Sequence, residues 1–313
     1  MDGKMISHVT DKLWHFVHNT FIAGWQELML SFAASILAAA LVLVIEARYV
    51  GYANSGLKRI FFTPSRSTIL DLVYFILYTT GVITLLAIAF SAGIPFFFAS
   101  ALKNALNLDV GPMLPTWIHL PVYLIAADFM AYWQHRLMHR IPALWKIHEF
   151  HHSAEEFNTI TVFREHPLDR AINVIAMTVP AIVIGVPVVA FPLFMTIYGL
   201  IGYVKHSRIP WHGWIGKWVI QSPRDHLIHH SKIQEHHDTN FANNFAIWDH
   251  LFGTYYTGSN FKPVLGLEAN PFNRRGAIVD TCQTQFRFFK ALSESGADIW
   301  RKRSARKRSE IRR

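Results

Sequence analysis

The sequence predicts an all-α fold: an integral membrane helical bundle with a helical cytoplasmic cap that carries a dinuclear metal site. Three observations predict it. Four long blocks are almost free of charge, three histidine clusters repeat the spacing of one helix face, and basic residues are distributed unevenly between the connecting segments.

The apolar blocks define the elements in chain order. Leu28–Ala47 holds Glu46 near its end, Ile69–Ala99 holds only Asp71, Trp117–Gln134 holds only Asp128, and Ala171–Val204 has no charged side chain. About 20 apolar residues suffice for a helix to cross a bilayer core. The charged fraction of the chain, 16%, also falls below the roughly 25% usual in soluble domains. The first three blocks read as crossings, the second running past the bilayer or bending near Gly93–Pro95. The fourth is too long for one crossing and is interrupted by Pro180, Gly185, Pro187 and Pro192. It reads as a hairpin of two short helices, spanning or re-entrant, that returns to its starting side. The first apolar run has no small-residue cleavage pattern, so no removable signal is expected.

Orientation follows from the basic residues. Arg48, Lys58, Arg59 and Arg66 lie between the first two blocks, and Arg136, Arg140 and Lys146 follow the third, whereas Ala99–Thr116 carries only Lys103. The positive-inside rule places the basic segments, and the histidines among them, on the cytoplasmic side together with the C-terminus. The expected organisation has residues 1–68 as an N-terminal segment with the first membrane helix and a basic loop. Residues 69–260 form a catalytic membrane domain, and residues 261–313 a basic cytoplasmic tail, mobile or loosely held by lipid. The formal charge of +9 is then a topology and anionic-lipid signal. Nucleic acid is not an expected partner, because no binding module accompanies the basic tail.

Thirteen of the eighteen histidines lie between His135 and His237. They include His135-x-x-x-His139, His148-x-x-His151-His152 and His226-x-x-His229-His230. Each cluster can aim its rings at one point from a helix face. Neutral imidazole ligates iron, copper and zinc alike, and eight imidazoles exceed the needs of one ion. A single cysteine, Cys282, excludes a thiolate zinc finger, an iron–sulfur cluster and an intrachain disulfide. Asp128 lies two turns before His135 on the same helix face, a candidate acceptor for a ligand's ring N–H. Glu149, Glu155, Asp225, Asp238 and Asn158 are further candidates for that role, and Asp249 is expected to tie a turn near Gly253. His8, His15, His18 and His119 fall outside the clusters, and the first three read as part of an amphipathic surface helix.

The words around the histidines are more specific. The chain reads Asp128-Phe-Met-Ala-Tyr-Trp-Gln-His135-Arg-Leu-Met-His139, Leu144-Trp-Lys-Ile-His148-Glu-Phe-His151-His152-Ser153, Arg164-Glu-His166-Pro-Leu168, Ser222-Pro-Arg-Asp-His226-Leu-Ile-His229-His230-Ser231 and Trp248-Asp-His-Leu-Phe-Gly-Thr254. Across roughly residues 69–256 it resembles the fatty acid hydroxylase / sterol desaturase superfamily of membrane-bound, histidine-rich di-iron oxygenases. The resemblance implies two iron ions, O₂ as co-substrate, and metal ligands at His135, His139, His148, His151, His152, His226, His229 and His230. It adds His206 as a ninth ligand, with His166 and His212 as candidates for a tenth. The region around His206 lacks the extra histidines of the fatty-acid 2-hydroxylase branch, which favours the sterol oxidase or alkylglycerol monooxygenase-like branches.

The function expected on that basis is O₂-dependent lipid hydroxylation, with lipid desaturation by the same centre as the alternative. The chain shows no haem-binding or flavin segment. An external electron donor is therefore expected, either a small electron-transfer protein with its reductase or a reduced pterin. A membrane haem electron carrier would place its histidines inside facing spans, yet these lie beyond the apolar blocks. A divalent-metal transporter would place ionisable residues within several crossings, and Ala171–Val204 has none.

Overall fold

The structure, a computed structural model, describes residues 25–106, 115–184 and 191–311 together with Asp11 and Trp14. The expectations for His8, His15 and His18, and the turn expected at Gly185 and Pro187, lie outside the described residues. Helices dominate; among the described residues the β contacts are two isolated bridges, Ile220–Phe245 and Ser231–Leu265.

Helix α1 (Trp25–Val50) buries a narrow stripe, Ala39, Val42 and Leu43, against Ile60, Ile160, Phe163 and Tyr203. Its other faces stay apolar and open, with Leu30, Leu37, Leu41 and Val44 all more than half exposed. Each such side chain left in water forgoes about 1.5–3 kcal/mol of burial. Lipid, not water, is the solvent that suits this helix. A connection through α2 (Gly56–Phe61) follows. Gly56 is needed there: a Cβ would meet the Leu43 side chain at 2.9 Å.

The second apolar block is not one continuous helix. It forms α3 (Arg66–Thr79), α4 (Val82–Phe90) and α5 (Ile94–Leu106). Thr80 caps α3 by donating its hydroxyl to the Ile76 carbonyl, and Gly81 takes a left-handed φ of 78°. The chain turns by 84° between α3 and α4. A second break falls at Ala92 and Gly93, both with positive φ, next to the expected Gly93–Pro95 bend. Local hydrogen bonding by threonine and the freedom of glycine override the apolar run.

α6 (Thr116–Arg140) ends in the first histidine pair and leads through a single residue into α7 (Pro142–His152), which has proline at its first position. The fourth block forms α8 (Pro167–Ile184) and α9 (Phe191–Lys205). α8 packs against α4, α5 and α6, while α9 packs against α1. Two helices are long and apolar enough to cross a membrane, Phe32–Val50 within α1 and Pro167–Ile184, and the bent α3–α4 pair makes a third if it acts as one span. α6 has the length, but Asp128 and its histidines lower its hydropathy. The protein is thus an all-helical membrane protein.

The short helices α10 (Gly213–Trp218), α11 (Pro223–His229) and α12 (Ile247–Leu251) build the rest of the histidine end. The loop joining α1 to α3 reaches the same end: Arg59 donates to the Phe157 carbonyl at 3.5 Å and Ser65 to Glu156 at 2.9 Å.

A buried arginine closes this end. Arg164 has no exposure, and all its donors are used. It contacts Asp71 Oδ1 at 2.6 Å, Ser153 Oγ at 3.1 Å, Asn273 Oδ1 at 2.8 Å, and both oxygens of Ser67. Asp71 accepts in turn from Asn158 and Thr161. Three separate chain segments meet at one ion pair. Asn273 carries the segment that leads into the last helix to this pair. Phe272 is fully buried, and α13 (Ala277–Ile311) packs along α7.

Removing one partner of a buried, hydrogen-bonded pair leaves the other charge uncompensated, at a cost of about 3–5 kcal/mol. Asp71→Ala is expected to lower stability by that order, whereas Leu37→Ala on the open face of α1 stays near wild type. Denaturant unfolding of the detergent-solubilised protein, followed by tryptophan fluorescence, checks both.

Candidate metal centre

Two groups of imidazoles converge where α6, α7 and α11 meet, with the end of α9 completing the second. His135, His139, His148, His152 and His229 form one group; His151, His206, His226 and His230 form the other. Within each group the candidate ligand atoms all lie within 4.8 Å of one another. The i, i+4 pair His135/His139 ends α6, and the i, i+3, i+4 set on α7 splits between groups. His148 and His152 face the first group, while His151, turned by one residue, faces the second. α11 splits its own set likewise, His229 to the first and His226 with His230 to the second. Sequence adjacency at His151-His152 and His229-His230 is what places the groups side by side.

The tautomers follow from the partners of the rings. His135 Nδ1 lies 2.8 Å from the Phe241 carbonyl, His151 Nδ1 3.1 Å from that of Arg164, His206 Nδ1 2.8 Å from that of Gly202 and His229 Nδ1 2.8 Å from that of Thr239. A carbonyl only accepts, so each Nδ1 carries the proton and each Nε2 keeps a lone pair. His148 Nδ1 meets the Asp169 carboxylate at 2.8 Å. In the first group, all five Nε2 atoms are buried and lack a hydrogen-bond partner among the described residues. In the second, His151 and His206 bring Nε2 atoms to 3.4 Å. With both Nδ1 atoms protonated, these are two lone pairs facing each other. His226 Nε2 lies 3.0 Å from His206 Nε2 and 3.1 Å from His230 Nε2. Such an array suits a shared cation and is otherwise repulsive.

Burial keeps the rings neutral. It holds His229 down to about 3, the Thr239 hydrogen bond opposing it. His152, His226 and His230 are pushed well below the ordinary histidine range, first by burial and then by neighbouring rings. Neutral imidazole is the form that binds metal. Aromatic walls complete the enclosure: Phe157 stacks on His206 at 5.0 Å between centroids, Trp145 covers His139 at 4.9 Å, and Phe241 sits 5.1 Å from His139.

The structure leaves His166 and His212 outside both groups. His166 Nε2 meets the Thr281 carbonyl and its Nδ1 accepts from Leu168 N–H; the proline after it starts α8 and turns the ring toward α13. His212 contacts Tyr255, Arg224 and Asp225, on the far side of the Arg224–Asp225 step. Asp128 does not orient a ligand ring. It accepts from Asn244 N at 3.0 Å, Phe245 N at 2.8 Å and Trp248 Nε1 at 2.9 Å, because a buried carboxylate is satisfied most fully by successive backbone N–H groups of a loop. Glu149 pairs with Lys146 and Arg287, Glu155 with Asn270, Asp225 with Ser222 and Arg224, Asp238 with Arg140, and Asn158 with Asp71.

Two carboxylates act where spacing did not point. Asp169 holds His148; its signal was a lone acid opening an otherwise apolar helix, next to the histidine words. Asp249 accepts from Thr254, in the turn expected at Gly253, and also from Phe241 N and Ala242 N. It thereby fixes the Phe241 carbonyl that anchors His135.

The all-helical fold thus brings nine histidines into two adjacent groups that could each hold a metal ion. The fatty acid hydroxylase family model matches residues 120–254. Relatives that match the chain carry names of lipid hydroxylases and of a sterol desaturase, so the chain is similar to the fatty acid hydroxylase / sterol desaturase superfamily. It is 27% identical over 266 residues to the ornithine lipid hydroxylase OlsE of Rhizobium tropici, covering 79% of this chain and 77% of that protein. It is 30% identical over 149 residues to the alkylglycerol monooxygenase of Homo sapiens, covering 48% of this chain but only 33% of that enzyme. A protein of Arabidopsis thaliana described as a Delta(7)-sterol-C5(6)-desaturase is 27% identical over 143 residues, 44% of this chain and 48% of its own length. No solved structure matches the chain.

Loss of a carboxylate behind a ligating imidazole typically costs 10–100-fold in metal affinity. Asp169→Ala is expected to weaken metal binding by about that factor, read by chelator competition. His166→Ala and His212→Ala should leave metal stoichiometry unchanged in elemental analysis, and a drop in either would return that residue to the centre.

Proposed function

We propose that this protein is a lipid monooxygenase that holds two iron ions in its two histidine groups, at the cytoplasmic face of the membrane, and draws electrons from a separate donor. The observation that carries this reading is the convergence of buried Nε2 atoms in two adjacent groups, those of the first without a hydrogen-bond partner among the described residues and those of the second turned toward one another. His135, His139, His148, His152 and His229 would hold one ion, and His151, His206, His226 and His230 the other. Bound iron supplies the activation of O₂ that attack on an unactivated C–H bond requires. Hydroxylation balances as R–H + O₂ + 2e⁻ + 2H⁺ → R–OH + H₂O, so each turnover consumes two electrons that the described chain has no group to store.

The chain's own residues prepare the site. Carbonyls at Phe241, Arg164, Gly202 and Thr239, together with Asp169, fix ring orientation before any ion arrives. The cost of ordering these five rings is thus met in folding. Phe157, Trp145 and Phe241 exclude water from the rings. α8, α9 and α6 run from the centre into the apolar part of the bundle, which lets an acyl, alkyl or sterol chain approach without crossing water. The names of the relatives, an ornithine lipid hydroxylase and an alkylglycerol monooxygenase, support a membrane lipid as substrate. Desaturation is the second reading, favoured by the Arabidopsis relative; it begins with the same hydrogen abstraction.

Anaerobic loading with ferrous iron is expected to give two ions per chain, falling in His139→Ala and in His226→Ala. Zinc can replace iron in overexpressed protein, since imidazole sites favour it by intrinsic affinity. With ¹⁸O₂ and a competent reductant, one labelled oxygen should enter a lipid product; without reductant, product stops at one turnover or less. One ion or fewer per chain, or product formed without O₂, overturns the proposal. A newly desaturated product without label selects the second reading.

The basic segments support a cytoplasmic position for the histidine end. Cysteines introduced by Thr257→Cys and Glu268→Cys, both at exposed positions, should react with an impermeant maleimide only from the cytoplasmic side. Labelling from the opposite side reverses the topology.

A further inference from the structure

The C-terminal helix α13 has two unlike faces. Its inner face is tied down: Asp280 and Thr284 are buried, Arg287 pairs with Glu149 at 2.5 Å, and Phe288 packs into the cluster of Met138, Ile147 and Leu168 beside Phe90 and Ile172. Those neighbours fix its depth. Leu168 and Ile172 lie in the first turns of α8, a helix apolar enough to cross a bilayer, and Phe90 is the last residue of α4. The inner face of α13 therefore sits at the level where the apolar bundle begins.

Its outer face is apolar and uncovered. Ile278, Cys282, Phe286, Phe289 and Leu292 recur every three or four residues, and all are exposed, Phe286 to 70% and Ile278 to 79%. One exposed apolar residue is ordinary; an aligned stripe on one helix face marks an interaction surface. The same helix then runs into a segment with eight Lys or Arg and one Glu between Arg301 and Arg313. An apolar face followed by a strongly basic end matches the surface of an anionic bilayer, apolar toward the acyl boundary and basic toward the headgroup phosphates.

We propose that α13 is an interfacial helix whose Ile278–Leu292 stripe lies in the headgroup–acyl boundary of an anionic bilayer, held there by the basic segment that follows. The stripe becomes a membrane anchor for α7, because Arg287 grips Glu149 between His148 and His151, and the Thr281 carbonyl meets His166. The proposal rests on the membrane reading of the chain, and the test separates the two.

Nitroxide labels are attached to Phe286→Cys, Leu37→Cys and Glu268→Cys, each in a full-length Cys282→Ser background. The proteins are reconstituted in nanodiscs of phosphatidylcholine alone or mixed with phosphatidylglycerol. Collision accessibility to O₂ and to a water-soluble nickel chelate is read by electron paramagnetic resonance. The label at 286 is expected to be several-fold less accessible to nickel than the label at 268, and to resemble the label at 37 in favouring O₂. This protection should be stronger in the anionic discs and lost there when residues 301–313 are deleted. If 286 reads as water while 37 reads as lipid, the stripe is solvent-facing; the proposal fails and the membrane reading stands. If 37 also reads as water, both fail. Shielding of 286 from both reagents with spin–spin broadening assigns the stripe to a second copy and overturns the proposal. Equal immersion in both lipids, with and without residues 301–313, overturns the anionic part.

Discussion

Every neutral imidazole has one N–H and one lone pair, and the organisation of this protein follows from where each N–H is sent. Four backbone carbonyls from three segments, and the Asp169 carboxylate, take Nδ1–H groups from five rings and leave their Nε2 lone pairs aimed inward. Those acceptors must therefore be held as firmly as the rings. The Phe241 carbonyl is held by Asp249, and the Arg164 carbonyl belongs to a residue whose side chain is pinned by Asp71. Electrostatics that look like scaffold are thus continuous with the centre.

Burying so many polar rings side by side is unfavourable unless something compensates. Without a cation, the Nε2 atoms of the first group lack hydrogen bonds among the described residues, and His151 faces His206 lone pair to lone pair. A fold that ordered these rings only for packing would lose nothing by replacing them with apolar side chains of similar volume, and would gain their burial energy. Retention of the full set, split between two foci, makes sense if cations bind there. Because neutral rings are the binding form, burial that depresses protonation also prepares the centre for metal near neutral pH.

The membrane helices and the centre solve one problem together. In the proposed reaction an apolar chain substrate would dissolve in the bilayer, while electrons and protons would come from the aqueous side. A site at the ends of α6 and α8, roofed by α7 and α11, touches both. The Arg164–Asp71 pair sits where the roof meets the bundle and joins α3, the 153–164 segment and the chain entering α13. The side chains that close the roof are therefore polar and fully paired, and those on the open face of α1 are apolar and unpaired, each matched to its own solvent.

Much of this was legible in the sequence. Apolar blocks gave the helical membrane class, the i, i+3, i+4 histidines named all nine rings that the structure gathers once His206 is added by resemblance, and block four was read as two helices, as α8 and α9 are. Periodicity carries such information because it depends only on local geometry. The rest depended on contacts between distant residues. Spacing put Asp128 on the face of His135, yet the carboxylate turns to the 244–248 loop, 116 or more residues away, because that loop offers it three donors. The acid that does meet a ring, Asp169, lies 21 residues from His148 and on another helix. His166 and His212 have the right chemistry and the wrong neighbours, set by the proline opening α8 and by the Arg224–Asp225 step. The second block reads as one crossing until Thr80 and Gly81 bend it. Residue type and spacing alone determined which groups could bind metal; only the tertiary structure decided how they divide into two sets, since a ring's direction depends on which distant carbonyl takes its proton.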